Sequence, residues 1–220
     1  MAPVTEIATL PLATGMEIED PTSPAGQSWA NVLDTLQKQE GYQRSFYGRQ
    51  LEDPQLVQLF VDWDSYESHE TFMKSSIYGP TMQRLASILN GAIDVKHASF
   101  DPHLPSNAIG KTNAPVTEVL LAVLSSKDEN YASNAAKFAK LTRDNANGCK
   151  GASTGWVREQ VGHESLGEAQ KGFVYAFVIG WESKDVHLAF RETTAFKESI
   201  SLIRDGAQAL QVNHTSFNEI

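Results

Sequence analysis

"WDSYESHETF" (Trp63–Phe72) returns as "WESKDVHLAF" (Trp181–Phe190), 118 residues further along the chain. A tryptophan, an acid, a serine, a histidine six places after the tryptophan and a closing phenylalanine recur in the same order. Two more pairs flank this one. "APVTEI" (Ala2–Ile7) recurs as "APVTEV" (Ala114–Val119) at an offset of 112, and "VKHASF" (Val95–Phe100) recurs as "VNHTSF" (Val212–Phe217) at 117. Three landmarks in one order at nearly constant spacing describe a single unit written twice, with residues inserted between the first and second landmarks.

Each copy carries the same succession of elements. "VTEIATLPLA" and "VTEVLLAVL" are β-rich apolar runs of the kind covered on both faces. "SPAGQSWANVLDTLQKQEG" places Trp29, Val32, Leu33 and Leu36 at helical spacing and stops at Gly41. "DENYASNAAKFAKLTRDNANG" places Tyr131, Ala135, Phe138 and Leu141 in the same role and ends at Asn147–Gly148. Two strands follow, "YQRSFYGRQ" and "QLVQLFVDW", matched by "GASTGWVREQV" and "GFVYAFVIGW". After each tryptophan a helix begins, with Asp64 and Glu67 as a capping pair in the first copy and Ser183 as N-cap in the second. "YGP" (Tyr78–Pro80) is expected to break the first copy's second helix, while the second copy keeps a longer helical run. A last strand, "IDVKHASF" or "QVNHTSF", closes each unit.

The order is β-α-β-β-α-β twice, which is ferredoxin-like. The expected division is residues 1–101, a Pro/Asn/Gly-rich linker over 102–115, and residues 116–220. Four strands with both helices on one face leave the other face bare. Yet the strands are apolar on both parities: Val57, Leu59 and Val61 against Leu56 and Phe60; Phe173, Tyr175 and Phe177 against Val174 and Val178. The bare face must be buried, and two sheets of one chain packing face to face would bury it. The expected fold is therefore α+β, an α+β barrel closed within one polypeptide, with further association left open.

Composition narrows the function. Net charge is −9, from 18 Lys+Arg against 27 Asp+Glu, with no basic cluster, which argues against nucleic acid or anionic lipid as partner. No signal-peptide pattern and no membrane-length apolar run is visible, so a cytoplasmic location is expected. Cys149 is the single cysteine, so no intrachain disulfide can form; it is expected to be a small loop residue in "NGCKG". "GASTG" (Gly151–Gly155) is read as turn chemistry, no phosphate-cradling glycine loop is present, and no histidine or acid spacing matches a familiar metal motif. The sequon at Asn213 falls in a predicted strand.

At "WDSYESH" and "WESKDVH" the chain resembles the dimeric α+β-barrel superfamily, and within it the antibiotic biosynthesis monooxygenase family. Members normally pair two single units, so this chain is similar to a fused dimer. The resemblance implies a small-molecule site of cofactor-free oxygenase or cyclase type, acting on an aromatic or polyketide-like substrate. In the anthrone-oxygenating members the tryptophan and a tyrosine six residues later line a pocket. Those positions fall here on Trp63 and His69, and on Trp181 and His187. Leu59 and Phe177 stand where those enzymes carry an asparagine, and their second-strand histidine has no clear match, which argues against anthrone oxygenation in particular. The superfamily also holds haem-binding members, where His69 or His187 would be the axial ligand, and proteins without chemistry. The rival reading is a non-catalytic ligand-binding or stress-associated barrel.

Each candidate residue has two readings. His187 and His69 are general bases, or they bond a backbone carbonyl in the first turns of a helix. Trp181 and Trp63 hold a ligand, or they plug the strand–helix junction. His97 and His214 line a pocket, or they touch each other across the pseudo-twofold axis. Arg44 and Tyr47 in the first copy and Tyr175 in the second are candidate donors to a developing enolate. The aromatic content favours the second copy as the working site, with His187 as base and Trp181 and Tyr175 shaping the pocket; the alternative is the first copy with Arg44, Tyr47, Trp63 and His69. Neither a cofactor nor a metal is expected.

Overall fold

The computed structural model describes residues 2–167 and 170–220. The first half runs β1 (Val4–Pro11), α1 (Pro24–Gln37), β2 (Tyr42–Arg49), β3 (Leu56–Trp63), α2 (Tyr66–Lys74), α3 (Tyr78–Ala86) and β4 (Asp94–Asp101). The second half runs β5 (Val116–Leu124), α4 (Glu129–Asn145), β6 (Cys149–Val157), the short β7 (Val161–Gly162), β8 (Lys171–Trp181), α5 (Lys184–Arg191), α6 (Thr194–Ser199), α7 (Ser201–Arg204), β9 (Ala207–Thr215) and β10 (Asn218–Glu219). Two ferredoxin-like units are thus joined head to tail.

Local chemistry sets the helix ends. Ser23 caps α1 by accepting the amide of Gly26 at 2.8 Å, with Pro24 in the first turn. Trp29, Val32, Leu33 and Leu36 form its buried stripe, as their spacing requires. In α4, Leu141 faces solvent at 40% exposure and Thr142 takes the inward position, because Tyr131, Ala135, Phe138, Ala139 and Thr142 continue the stripe one step later. The cap after the first tryptophan is Ser65, not Asp64. Ser65 and Ser183 accept the amides of Ser68 and Val186 at 3.2 Å each, while Asp64 bonds the Ser65 and Ser68 hydroxyls.

The expected long helix of the second half is also corrected. Thr193 accepts the amide of Phe196 and starts a new helix there, so that segment is three pieces, α5 to α7. In the first half the break falls at Ser75–Ile77, and Pro80 sits in the first turn of α3, where its missing N–H costs nothing.

All the described strands belong to one antiparallel sheet, ordered β10-β2-β3-β1-β4-β6-β8-β5-β9, with β7 as a flap on β8. It closes on itself at two equivalent seams. At one, β4 pairs with β6, Phe100 opposite Gly155. At the other, the β9–β10 run meets β2, through a bridge between Gln50 and Thr215 and the pairing of Asn218 with Tyr47. Glycine is required at both. A Cβ on Gly155 would lie 2.0 Å from the Ser99 carbonyl oxygen, and one on Gly48 would lie 2.3 Å from that of Ser216.

Strand parity divides the apolar residues into three cores. Val57, Leu59, Val61 and Trp63 pack under α1–α3, and Tyr175, Phe177, Ile179 and Trp181 pack under α4–α7. Between the sheets, Ile7, Phe46 and Phe60 meet Val119, Val174, Val178 and Phe217. The stretch over 102–115 does more than connect: Leu104, Ala108 and Ile109 are at most 1% exposed and belong to this central core.

Candidate functional site

β1 alternates in the period of a strand, so Ile7 points into the barrel while Glu6 points under the helices. There its carboxylate accepts the indole N–H of Trp63 at 3.0 Å. His69, on the second turn of α2, stacks on that indole with ring centres 5.0 Å apart and planes 13° apart. Its Nε2 lies 3.5 Å from the same Glu6 oxygen. Its Nδ1 lies 2.7 Å from Nε2 of His97, on β4. His97 Nδ1 in turn lies 2.6 Å from Oε1 of Glu159, whose other oxygen accepts the His97 amide at 2.7 Å. Glu159 belongs to the second half of the chain.

The second half repeats this chain of contacts. Trp181 Nε1 donates to Glu118 at 3.0 Å and stacks on His187 at 4.9 Å. His187 Nε2 lies 3.5 Å from Glu118, and its Nδ1 lies 2.7 Å from His214 Nε2. His214 Nδ1 reaches Glu52 at 2.7 Å, and Glu52 also accepts the His214 amide at 2.8 Å. Glu52 comes from the first half. Strand register makes Glu52 and Glu159 equivalent, since Arg44 faces Asp62 as Gly151 faces Gly180. Each half therefore completes the other's network.

The tautomers follow from the carboxylates. Burial pushes the Glu159 carboxyl up, but the His97 ring and amide outweigh it and hold the group below its ordinary value, so it is ionised and accepts. A neutral His97 then carries its proton on Nδ1 and accepts at Nε2, and His69 donates from Nδ1. That leaves His69 Nε2 with a free lone pair facing the Glu6 carboxyl. Burial lowers the pKa of His69, with the Glu6 charge opposing it.

The halves differ around this common core. Lys184 donates to Glu52 at 2.7 Å, at the place where the first half has Tyr66. Tyr66 instead meets the His97 ring edge-on at 4.9 Å, beneath the Arg158 guanidinium. With Lys184 beside it the Glu52 carboxyl, despite burial, falls to about 2. Burial, then the charges of His214, Arg191 and Lys184, takes His187 down to about 3, and burial raises Glu118 to about 7. A cavity of about 350 Å³ opens onto Glu6, His69 and His97, walled by Leu10, Phe72, Met82 and Leu85 with Tyr78 at its edge. Its counterpart beside His187 is about 200 Å³, and Phe196 stands there in place of Tyr78.

The structure gathers Trp63, His69 and His97 in one place and Trp181, His187 and His214 in another. His97 and His214 do not touch each other; each meets the histidine of its own half, because their strand parity points them at the helices. The three proposed donors lie elsewhere. Arg44 is on the barrel-facing parity, bonded to Asp62 at 2.6 Å and to the Leu104 carbonyl. Tyr47 packs edge-on against Trp29, opposite Leu59, about 13 Å along the strand from Trp63. Tyr175 bonds Thr154 at 3.2 Å, six residues and about 20 Å from Trp181. Cys149 opens β6 rather than lying in a loop, and burial raises its thiol to about 11.

Four acids and one phenol were missed. Glu6 and Glu118 sat within the quoted repeat "PVTE", so their recurrence was the available signal. Glu52 and Glu159 lie in unlike surroundings, "LEDP" and "REQV", and Tyr78 stands in the helix-breaking "YGP", so no shared pattern marks them. Glu6, His69 and His97 bring ligand atoms within 4.8 Å of one another, as do Glu118, His187 and His214. Two nitrogens on one tetrahedral ion would stand roughly 3.3 Å apart. At 2.7 Å the histidine pairs are hydrogen-bonded, and an ion would have to part them.

No protein-family model matches this sequence, and a search of curated proteins finds no match. Solved structures do match over the whole chain. An anthrone oxidase-like protein aligns with TM-score 0.71 and 14% identity, over 99% of this chain and 92% of its own. A monooxygenase candidate from Lactobacillus acidophilus NCFM aligns with TM-score 0.61 and 12% identity, over 100% and 99%. Another, from Fusobacterium nucleatum subsp. nucleatum, aligns with TM-score 0.59 and 13% identity, over 98% and 92%. At such identities the likeness is one of fold alone: a tandem, fused α+β barrel.

Proposed function

We propose that the chain is a cofactor-independent small-molecule enzyme that turns over its substrate in the first-half cavity. The observation that carries this is the hydrogen-bonded relay Glu159–His97–His69, which leaves an unprotonated imidazole nitrogen at the end of an apolar cavity. An aromatic or polyketide-like molecule suits that cavity's size and lining. His69 Nε2 removes a proton from an acidic carbon or phenol, and the adjoining Glu6 carboxyl shares it. Tyr78 lines the same cavity and supplies the hydroxyl that holds the resulting enolate; burial and the Glu6 charge keep its pKa raised. The carbanion then meets O₂ or an internal carbonyl, giving oxygenation or cyclisation.

The first half is preferred over the second for a physical reason. A base held at about 3, as His187 is, binds a proton too weakly to drive abstraction near neutral pH. The second cavity suits holding a ligand better than turning one over, which keeps the ligand-binding reading alive for that half.

The test is oxygen uptake and product formation with a panel of polyhydroxylated aromatics, using the wild type, His69→Ala and Tyr78→Phe. Turnover lost in His69→Ala and reduced in Tyr78→Phe supports the assignment. Undiminished turnover in His69→Ala removes the base from the mechanism.

A further inference from the structure

The two cavities also differ in the charged residues that line them. Arg191, at the end of α5, and Arg204, at the end of α7, both line the second-half cavity and both are solvent-exposed. At the offset of 118 that aligns the two helical segments, the first half has Met73 and Ala86. None of the described residues lining the first-half cavity is a lysine or arginine. Among the described residues, neither guanidinium makes an ion pair or a side-chain hydrogen bond.

Two unpaired guanidiniums beside an apolar hollow are an unused recognition element. Arginine presents a fork of donors matched to a carboxylate, and beside a low-dielectric wall its charge acts with less screening. The interior behind the two arginines is aromatic and aliphatic: Phe138, Phe190, Phe196 and Ile203. Among the described residues, the one acid lining the same cavity, Glu118, is buried and is engaged by the Trp181 indole. Burial holds that carboxyl near neutrality, at about 7, so it is a weak counter-charge to Arg191.

We propose that the second-half cavity binds a carboxylate carried on an apolar, preferably aromatic, body, with Arg191 and Arg204 holding the head group at the mouth, while the first-half cavity takes neutral molecules. The duplication has then produced two pockets with one hydrogen-bonded core and two ligand charges. This rests on the reading of the cavities as small-molecule sites. It does not rest on turnover, so oxygen uptake and carboxylate binding can fail separately.

The experiment is calorimetric titration of the full chain with 4-phenylbutanoate and with its neutral counterpart 4-phenylbutanamide. The bound site is identified by which indole N–H resonance moves in the NMR spectrum, that of Trp181 or that of Trp63. The carboxylate is expected to shift Trp181 and to bind about ten-fold or more tightly than the amide at that site. The pair Arg191→Met with Arg204→Ala, which installs the first half's residues, is expected to lose that ten-fold preference. The pair Arg191→Lys with Arg204→Lys keeps the charge and is expected to retain most of it. Equal binding of acid and amide, no binding of the acid, a shift at Trp63 alone, or an unchanged preference in the Met/Ala pair would each overturn the assignment.

Discussion

His97 of the first half is held by Glu159 of the second, at 2.6 Å to the ring and 2.7 Å to the backbone amide, and nothing nearer in sequence does the same work. The tautomer of His69 is therefore set by a residue 90 positions away, from the other copy of the repeat. ¹⁵N spectra should show His69 Nε2 as an unprotonated ring nitrogen at neutral pH. In Glu159→Gln the amide oxygen can still accept, but the charge is gone. That variant is expected to weaken the assignment of tautomers and cut turnover about ten-fold or more, with a stability loss of roughly 1–3 kcal/mol. A spectrum with His69 Nε2 protonated in the wild type would sink the relay.

His69→Ala and His187→Ala should behave unlike each other in activity and alike in stability. Each removes a buried imidazole stacked on a tryptophan and leaves a histidine unpartnered, at a cost of about 1–3 kcal/mol. Only His69→Ala is expected to abolish turnover. Matched losses of activity in both variants would show that both halves turn over substrate.

Stability should depend on pH through Glu118. Its folded pKa of about 7 lies above its ordinary 4.5, so the folded chain keeps a proton that the unfolded chain releases. That contribution is complete below about 4.5 and is lost as pH rises through 7. Glu118→Gln removes the loss, so urea midpoints compared at pH 5 and pH 8 should fall less in the variant, by up to about 3 kcal/mol in free energy. Glu52 acts in the opposite sense: its carboxyl at about 2 is depressed, so its contribution stands above 4.5 and fades as pH falls towards 2. An identical pH profile for Glu118→Gln and wild type would contradict the raised pKa.

The barrel seams should be intolerant of small changes. Gly155→Ala places a methyl group 2.0 Å from the Ser99 carbonyl oxygen, and the nearest atoms are all backbone of Ser99 and Phe100, which cannot swing aside as a side chain could. Phe217→Ala empties a site with no exposure where the second half's ring meets Phe60 at 5.0 Å, at a cost of about 3–5 kcal/mol. Both variants should unfold at markedly lower denaturant. Retention of wild-type stability in either would mean that the two sheets do not depend on each other.

Repetition and periodicity were enough to determine the architecture: two units in tandem, each β-α-β-β-α-β, with strands apolar on both parities and hence a barrel closed by the chain itself. Those features are local or nearly so, and a repeated sequence reports them directly. The tryptophans and histidines of the two networks were legible for the same reason, since Trp63, His69 and His97 recur as Trp181, His187 and His214. What the histidines touch was decided only by the closing of the barrel. Strand parity turned His97 and His214 outward under the helices, away from each other and away from Arg44. The seams carried Glu52 and Glu159 across to the opposite half, where a carboxylate sets the tautomer of a ring 162 or 62 residues distant in the chain. A hydrogen bond that spans two repeats has no local pattern to betray it, because its geometry exists only once both sheets have paired.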